Sequence, residues 1–247
     1  MKIIFTKPFN NRYYNLVKKL NISNIYKSNM ELIIKSDFIY IRYKNKHSNI
    51  FFIDFNSKKM NYRCNLANIK NELIAKSVGI KNKYFPKIID ATAGLGNDSF
   101  ILSYLGCKVM MIERNPIIYL LLRNALDRTY SNTTTLGWTK KRLRLIYQSS
   151  FEIFKKIKKK PDVIYLDPMF PINNKKKSKS KKEIELLKKI VGEDKDADTL
   201  LKYAISLAST RVVVKRPLYA SPLNNIKTSS FIKTGNYRFD IYFNRKK

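Results

Sequence analysis

From Pro86 onward the chain alternates short β-branched apolar runs with helical stretches, and this alternation restricts the fold more than any other feature. Lys87–Ala91, Cys107–Ile112, Arg142–Tyr147, Val163–Leu166 and Thr210–Lys215 read as strands. Asn97–Leu105, Pro116–Arg128 and Lys181–Ile190 read as the helices between them. Strands separated by helices cannot pair as tight hairpins, so the pattern predicts a mostly parallel, Rossmann-like α/β sheet with helices on both faces. Two further runs, Ser229–Lys233 and Tyr237–Phe243, flank Thr234-Gly235-Asn236. A Gly/Asn turn there predicts an antiparallel hairpin at the sheet edge.

The residues ahead of this region have a different texture. Lys2–Thr6, Glu31–Lys35, Phe38–Tyr43 and Ile50–Phe55 are short runs with period-2 character, broken by Asn, Ser and Lys. They predict a small β-rich subdomain over residues 1–60, with antiparallel pairing. Residues 61–85 carry Leu66, Ile69, Leu73, Ile74 and Val78 at helical spacing, which predicts a basic helical connector to a main domain over 86–247.

Charge narrows the partners. Fifty Lys and Arg against 18 Asp and Glu leave a net charge of +32, and so basic a surface attracts phosphate backbones. Only 12 of the 50 are Arg, a lysine bias that an AT-rich genome also produces without selection for binding. Cys64 and Cys107 form no CxxC pair and His47 has no ligand neighbours in sequence, so no metal site is expected. No apolar run approaches the ~20 residues needed to span a bilayer and no signal-peptide core develops, so the expected location is the cytoplasm.

Ligands of doubly wound sheets bind beyond the carboxyl ends of the strands. Asp90-Ala91-Thr92-Ala93-Gly94-Leu95-Gly96-Asn97-Asp98 lies there after the first main-domain strand, and Gly94 and Gly96 allow a tight turn and close approach to a nucleoside-type cofactor. Glu113, 17 residues past Gly96 at the end of the second strand, is placed to accept hydrogen bonds from two ribose hydroxyls. A dinucleotide fingerprint would need a third Gly where Ser99 stands, so a nicotinamide cofactor is disfavoured. Ser149 and Ser150 follow the third strand, where an adenine-proximal contact or a helix cap is expected.

Asp167-Pro168-Met169-Phe170 closes the fourth strand and resembles the [DN]PP[YF] signature of methyltransferases acting on exocyclic base amines. Such an amine has its lone pair delocalised into the ring. A carboxylate on Asp167 and the carbonyl of Pro168 could accept its two N–H bonds and localise that pair, while Phe170 stacks on the base. The run Asn173–Lys182 follows, and Lys175, Lys176, Lys177 and Lys179 are expected to contact phosphates or to form a solvated charged loop.

From Asp54 to Phe243 the chain resembles the RsmJ-type 16S ribosomal RNA guanine-N2 methyltransferases of bacteria. The residues that carry the likeness are the Asp90–Asp98 loop, Glu113-Arg114-Asn115-Pro116, Tyr165–Pro171, Val191–Asp198, Lys215-Arg216-Pro217 and Arg238–Tyr242. The resemblance implies a class I methyltransferase fold and S-adenosyl-L-methionine (SAM) as cofactor. It implies cofactor contacts at Asp90, Gly94, Gly96, Asn97, Asp98, Glu113, Arg114, Ser149, Ser150 and Asp167, and methyl transfer at Asp167, Pro168 and Phe170. Lys215 and Arg216 join the lysine run as expected RNA contacts. The implied substrate is 16S rRNA or the small ribosomal subunit, methylated at N2 of one guanosine near its 3′ end. Asn97 stands where the family usually has Arg, and the segment Arg63–Glu72, basic and Gly-rich in the family, has no glycine here. Two other readings fit the residues alone: an amine methyltransferase of DNA adenine or protein glutamine, and a non-catalytic RNA-binding protein on this fold.

Overall fold

The computed structural model describes residues 1–8, 11–22, 29–44, 50–81, 83–170 and 188–244. Eleven described strands form two sheets. In the first, β1 (Lys2–Phe5), β2 (Met30–Ile34), β3 (Ile39–Tyr43) and β4 (Ile50–Phe51) lie side by side in chain order. The pairs β2–β3 and β3–β4 are antiparallel, but β1 runs parallel to β2. A parallel neighbour requires a crossover, and α1 (Asn11–Lys19) lies between them in sequence. The strand reading of residues 1–60 misses this helix, whose buried Tyr13 and Val17 lie four residues apart on one apolar face.

The connector is two helices, α2 (Lys58–Leu66) and α3 (Leu73–Val78). Ser57 caps α2 by accepting the Met60 N–H at 3.2 Å, and Gly79 ends α3 in the left-handed region.

The second sheet holds β5 (Lys87–Asp90), β6 (Lys108–Glu113), β7 (Leu143–Tyr147), β8 (Val163–Leu166), β9 (Arg211–Pro217), β10 (Ser230–Lys233) and β11 (Tyr237–Phe243). Their spatial order is β10-β11-β9-β8-β5-β6-β7. From β9 to β7 all neighbours are parallel, and the predicted hairpin places β11 antiparallel to both β9 and β10. Every residue of β8 is buried, as a central strand covered on both faces requires. The helices along this sheet are α4 (Asn97–Tyr104), α5 (Pro116–Tyr130), α6 (Thr133–Arg142), α7 (Ser150–Lys156) and α8 (Ala197–Leu207). The expected helix at 181–190 lies, up to residue 187, outside the described residues.

The small sheet docks on α5, which starts with Pro116 at its first turn and with the Asn115 side chain accepting the Ile117 and Ile118 N–H groups. Buried Asn124 on α5 accepts the Ile39 N–H at 3.1 Å and donates to Tyr13 Oη and the Asp37 carbonyl, while Arg128 pairs with Asp54 at 3.0 Å. Phe55 stacks on Phe100 of α4 with ring centroids 4.6 Å apart. One apolar core therefore runs from the small sheet into the main one. This places β4 and α2 beside the loop that follows β5.

Candidate active site

The carboxyl ends of β5, β6, β8 and β9 converge on one edge, and hydrogen bonds between their loops fix its shape. Asp90 ends β5 almost fully buried, at 2% exposure. Its carboxylate accepts the Thr92 N–H at 3.1 Å and the Ser99 hydroxyl at 2.6 Å, and burial lifts its pKa to about 7. Asp90 thus braces the glycine loop from beneath. Gly94 and Gly96 both adopt positive φ, of 53° and 71°. A Cβ on Gly96 would lie 2.9 Å from a Leu122 methyl and 3.0 Å from the Phe55 ring, so packing and backbone conformation both demand glycine there.

Glu113 ends β6 and is buried. One oxygen accepts the Gly94 N–H at 3.0 Å and the other accepts the Asn115 N–H at 2.7 Å. Burial raises its pKa to about 7 against these two donors. Each carboxylate oxygen has two acceptor positions, so each retains one for a ligand hydroxyl. Arg114, next along, pairs with Asp194 and Asp196, at 2.5 Å to the latter. Asp194 in turn accepts the Met169 N–H at 2.8 Å and donates its own N–H to the Met169 carbonyl. Arg114 therefore serves the turn after β8, holding it from across the edge.

That turn is also tied to the glycine loop, because the Asp167 N–H donates to Thr92 Oγ1 at 2.6 Å. Asp167 Oδ2 pairs with Lys215 Nζ at 3.0 Å, and its side chain keeps 38% exposure. Among the described residues neither Asp167 Oδ1 nor the Pro168 carbonyl has a hydrogen-bond partner in the protein. Phe170 is half-buried, and the Arg216 guanidinium lies 4.0 Å from its ring centroid, so a base could stack only on the opposite face.

Asp98 opens α4 and sits at the centre of a charge cluster. It accepts from Lys215 Nζ at 2.9 Å, Tyr165 Oη at 2.8 Å and Arg63 of α2 at 3.2 Å. Arg63 also grips Glu72. Burial alone would raise the Asp98 pKa, but the Lys215 and Arg63 charges outweigh it and hold the carboxyl at about 2. Asp98 is thus committed to three protein partners.

Several expected contacts take other roles. Lys215 and Arg216 face inward: Lys215 to Asp98 and Asp167, and Arg216 to the Ser221 carbonyl and Phe170. Both side chains therefore have protein partners at the reacting edge. Ser150 is buried and donates to the Ala91 carbonyl at 2.6 Å, bracing the β5 loop, while Ser149 caps α7 without a side-chain bond. Lys175, Lys176, Lys177 and Lys179 lie outside the described residues. Asn97 lines an open groove of about 610 Å³ with Leu95, Phe52, Tyr62, Arg63 and Leu66. Thr92, Tyr165 and Asp194 were not singled out individually from the sequence. All three lie inside segments that carry the family likeness, but their individual roles appear only in the tertiary contacts.

Comparisons with known proteins bear on the family of this chain. Residues 15–244 match a family described as "Putative SAM-dependent methyltransferase". The chain is 46% identical to ribosomal RNA small subunit methyltransferase J of Buchnera aphidicola subsp. Schizaphis graminum over 240 residues, 96% of each protein. It is likewise 46% identical to the protein of that name from Proteus mirabilis over 191 residues, 77% of each. Among solved structures, a SAM-dependent methyltransferase from Neisseria gonorrhoeae superposes with a TM-score of 0.77 at 29% identity, covering 99% of this chain and 96% of that one.

Proposed function

The chain belongs to the SAM-dependent methyltransferases of the small-subunit rRNA methyltransferase J family, and from that premise we propose that it methylates the exocyclic N2 of one guanosine near the 3′ end of 16S rRNA. The observation that carries this reading is that Asp167 Oδ1 and the carbonyl of the next residue, Pro168, just past β8, have no hydrogen-bond partner among the described residues. An exocyclic amine has two N–H bonds, which is what two adjacent acceptors can take.

The residues present fit SAM. Glu113 is a buried carboxylate with one acceptor position left on each oxygen, suited to the two ribose hydroxyls, and the glycine loop beside it is held open by Asp90. Asn97 lines the groove beside the loop that Gly94 and Gly96 turn, Ser149 follows β7, and Arg114 and Asp98 act by fixing the walls. When bound, SAM supplies an electrophilic methyl group on a sulfonium.

Asp167 and Pro168 orient the amine, and Phe170 would hold the base plane with the ring face opposite Arg216. Asp167 Oδ1 would take the proton that the amine nitrogen sheds on methylation and pass it to water. Thr92, Asp194 and Lys215 keep the turn from moving during this step, so little reorganisation is needed. Lys175, Lys176, Lys177 and Lys179 would hold the RNA by charge. Among the described residues no helix is long and apolar enough to cross a membrane. The cytoplasm is the site of action we infer from the proposed rRNA substrate.

The test is transfer of a labelled methyl group from SAM to 16S rRNA and to the small ribosomal subunit, followed by nucleoside mapping. N2-methylguanosine at a single position near the 3′ end is expected. Label appearing only in DNA adenine or protein glutamine would overturn the target, and no label in any acceptor would overturn the activity.

A further inference from the structure

Lys215 was expected at the RNA, yet its ammonium is turned to the reacting edge and held between two carboxylates, 2.9 Å from Asp98 Oδ2 and 3.0 Å from Asp167 Oδ2. The Tyr237 ring lies 5.3 Å from the same nitrogen, closing its third side. Asp98 cannot follow Lys215 if it moves, because Arg63 from α2 and Tyr165 from β8 hold it from two other elements. Lys215 is thus anchored on a fixed carboxylate and touches only one oxygen of the movable one.

Resting on the methyltransferase reading above, we propose that Lys215 is a positioning residue of the transfer step, binding Asp167 through Oδ2 so that Oδ1 remains the ionised acceptor for the incoming amine. The geometry gives it two tasks. It fixes the rotamer of Asp167, whose backbone is already pinned by Thr92. It also supplies the cation that Asp167 needs in order to stay charged. Asp167 is faced by Asp98 from α4, by Asp194 from the segment before α8 and by Asp90 and Tyr165 beneath, none of which is positive. Burial and these acids push the Asp167 pKa upward, and Lys215 opposes them. Lys215 itself stays protonated, because the attraction of Asp167 and Asp98 outweighs its desolvation. Without Lys215 the Asp167 carboxyl would hold its proton to higher pH, and a protonated Oδ1 would offer a donor where the amine needs an acceptor.

The test compares Lys215→Met and Lys215→Arg with the wild-type chain in single-turnover methyl transfer across pH 6 to about 9.5, with SAM saturating. For Lys215→Met, transfer at neutral pH should fall by about 10- to 100-fold and recover substantially as pH rises, its acid limb displaced by roughly a pH unit or more. SAM affinity should change by less than about threefold, and Lys215→Arg should restore most of the rate. Carboxylate ¹³C NMR titration, with Asp167 assigned by its loss in Asp167→Asn, reads the same displacement without any RNA. It therefore separates failure of this inference from failure of the proposed target. A Lys215→Met protein whose rate profile and Asp167 titration both superpose on wild type in shape would overturn the proposal. So would an Arg variant as impaired as the Met variant with no displacement. Should Lys215→Met not fold, Lys215→Gln carries the same comparison.

Discussion

Replacing Glu113 by Gln changes one oxygen into an NH2 group with almost no change of volume, so it isolates the chemistry of this carboxylate. In the wild-type protein both oxygens accept backbone N–H groups, from Gly94 at 3.0 Å and Asn115 at 2.7 Å. Glutamine has one acceptor oxygen, and its NH2 group must face one of these two donors. Leaving a buried donor unsatisfied costs ~1–3 kcal/mol, so the free protein should lose about that much stability. Cofactor binding should lose one charge-assisted bond to a ribose hydroxyl and weaken the other, a deficit of roughly 2–3 kcal/mol, or about 30- to 150-fold in Kd. Calorimetric titration of SAM at pH 8, with a thermal melt of each protein, measures both. The pH dependence supplies an independent check. The Glu113 carboxyl has its pKa raised by burial to about 7, and the ionised form is the one that accepts two hydroxyls. Wild-type affinity should therefore fall as pH drops below 7, by up to roughly tenfold per unit, and the Gln variant should lack this slope. Asp90, lifted to about 7 by its own burial, remains in the variant, so any residual slope belongs to it. A Gln variant that binds SAM within threefold of wild type, with the same pH slope, would refute the ribose assignment.

Three further outcomes follow from the same contacts. Asp167→Ala removes the unpartnered Oδ1 and should slow single-turnover transfer by ~10²–10³-fold, the usual worth of one preorganised polar contact; transfer within threefold of wild type would make Asp167 structural. Gly96→Ala places a Cβ 2.9 Å from Leu122 at a φ of 71°, and should cost roughly 2–4 kcal/mol in denaturant unfolding, from overpacking plus left-handed strain. Replacing Lys175, Lys176, Lys177 and Lys179 together by Ser should flatten the salt dependence of RNA affinity, each lost phosphate contact removing ~0.7–0.9 from the log–log slope. An identical slope would make the run a solvated bystander.

The local code of this sequence settles the main sheet and its loops. β-branched runs spaced by helices leave few alternatives to a parallel sheet, and Thr234-Gly235-Asn236 can hardly serve as anything but a tight turn, so β5 to β11 were legible to within one or two residues at their ends. Glu113 and Asp167 were legible for the same reason: each ends a strand, and strand ends on such a sheet meet at one edge. Helix α1 was not read, because it is only nine residues long and lies among short strand-like runs, although Tyr13, Leu16 and Val17 form one apolar face; the parallel pairing of β1 with β2 depends on that crossover. Nor could the sequence say where long charged side chains point. Lys215 and Arg216 alternate along β9 like any strand residues, and only the packing of α4, β8 and β11 around them turns one onto Asp98 and Asp167 and the other onto Phe170. A lysine in water and a lysine between two carboxylates have the same local sequence signal. Their difference is made by residues far away in the chain, 117 positions in the case of Asp98, and exists only once the fold has brought them together.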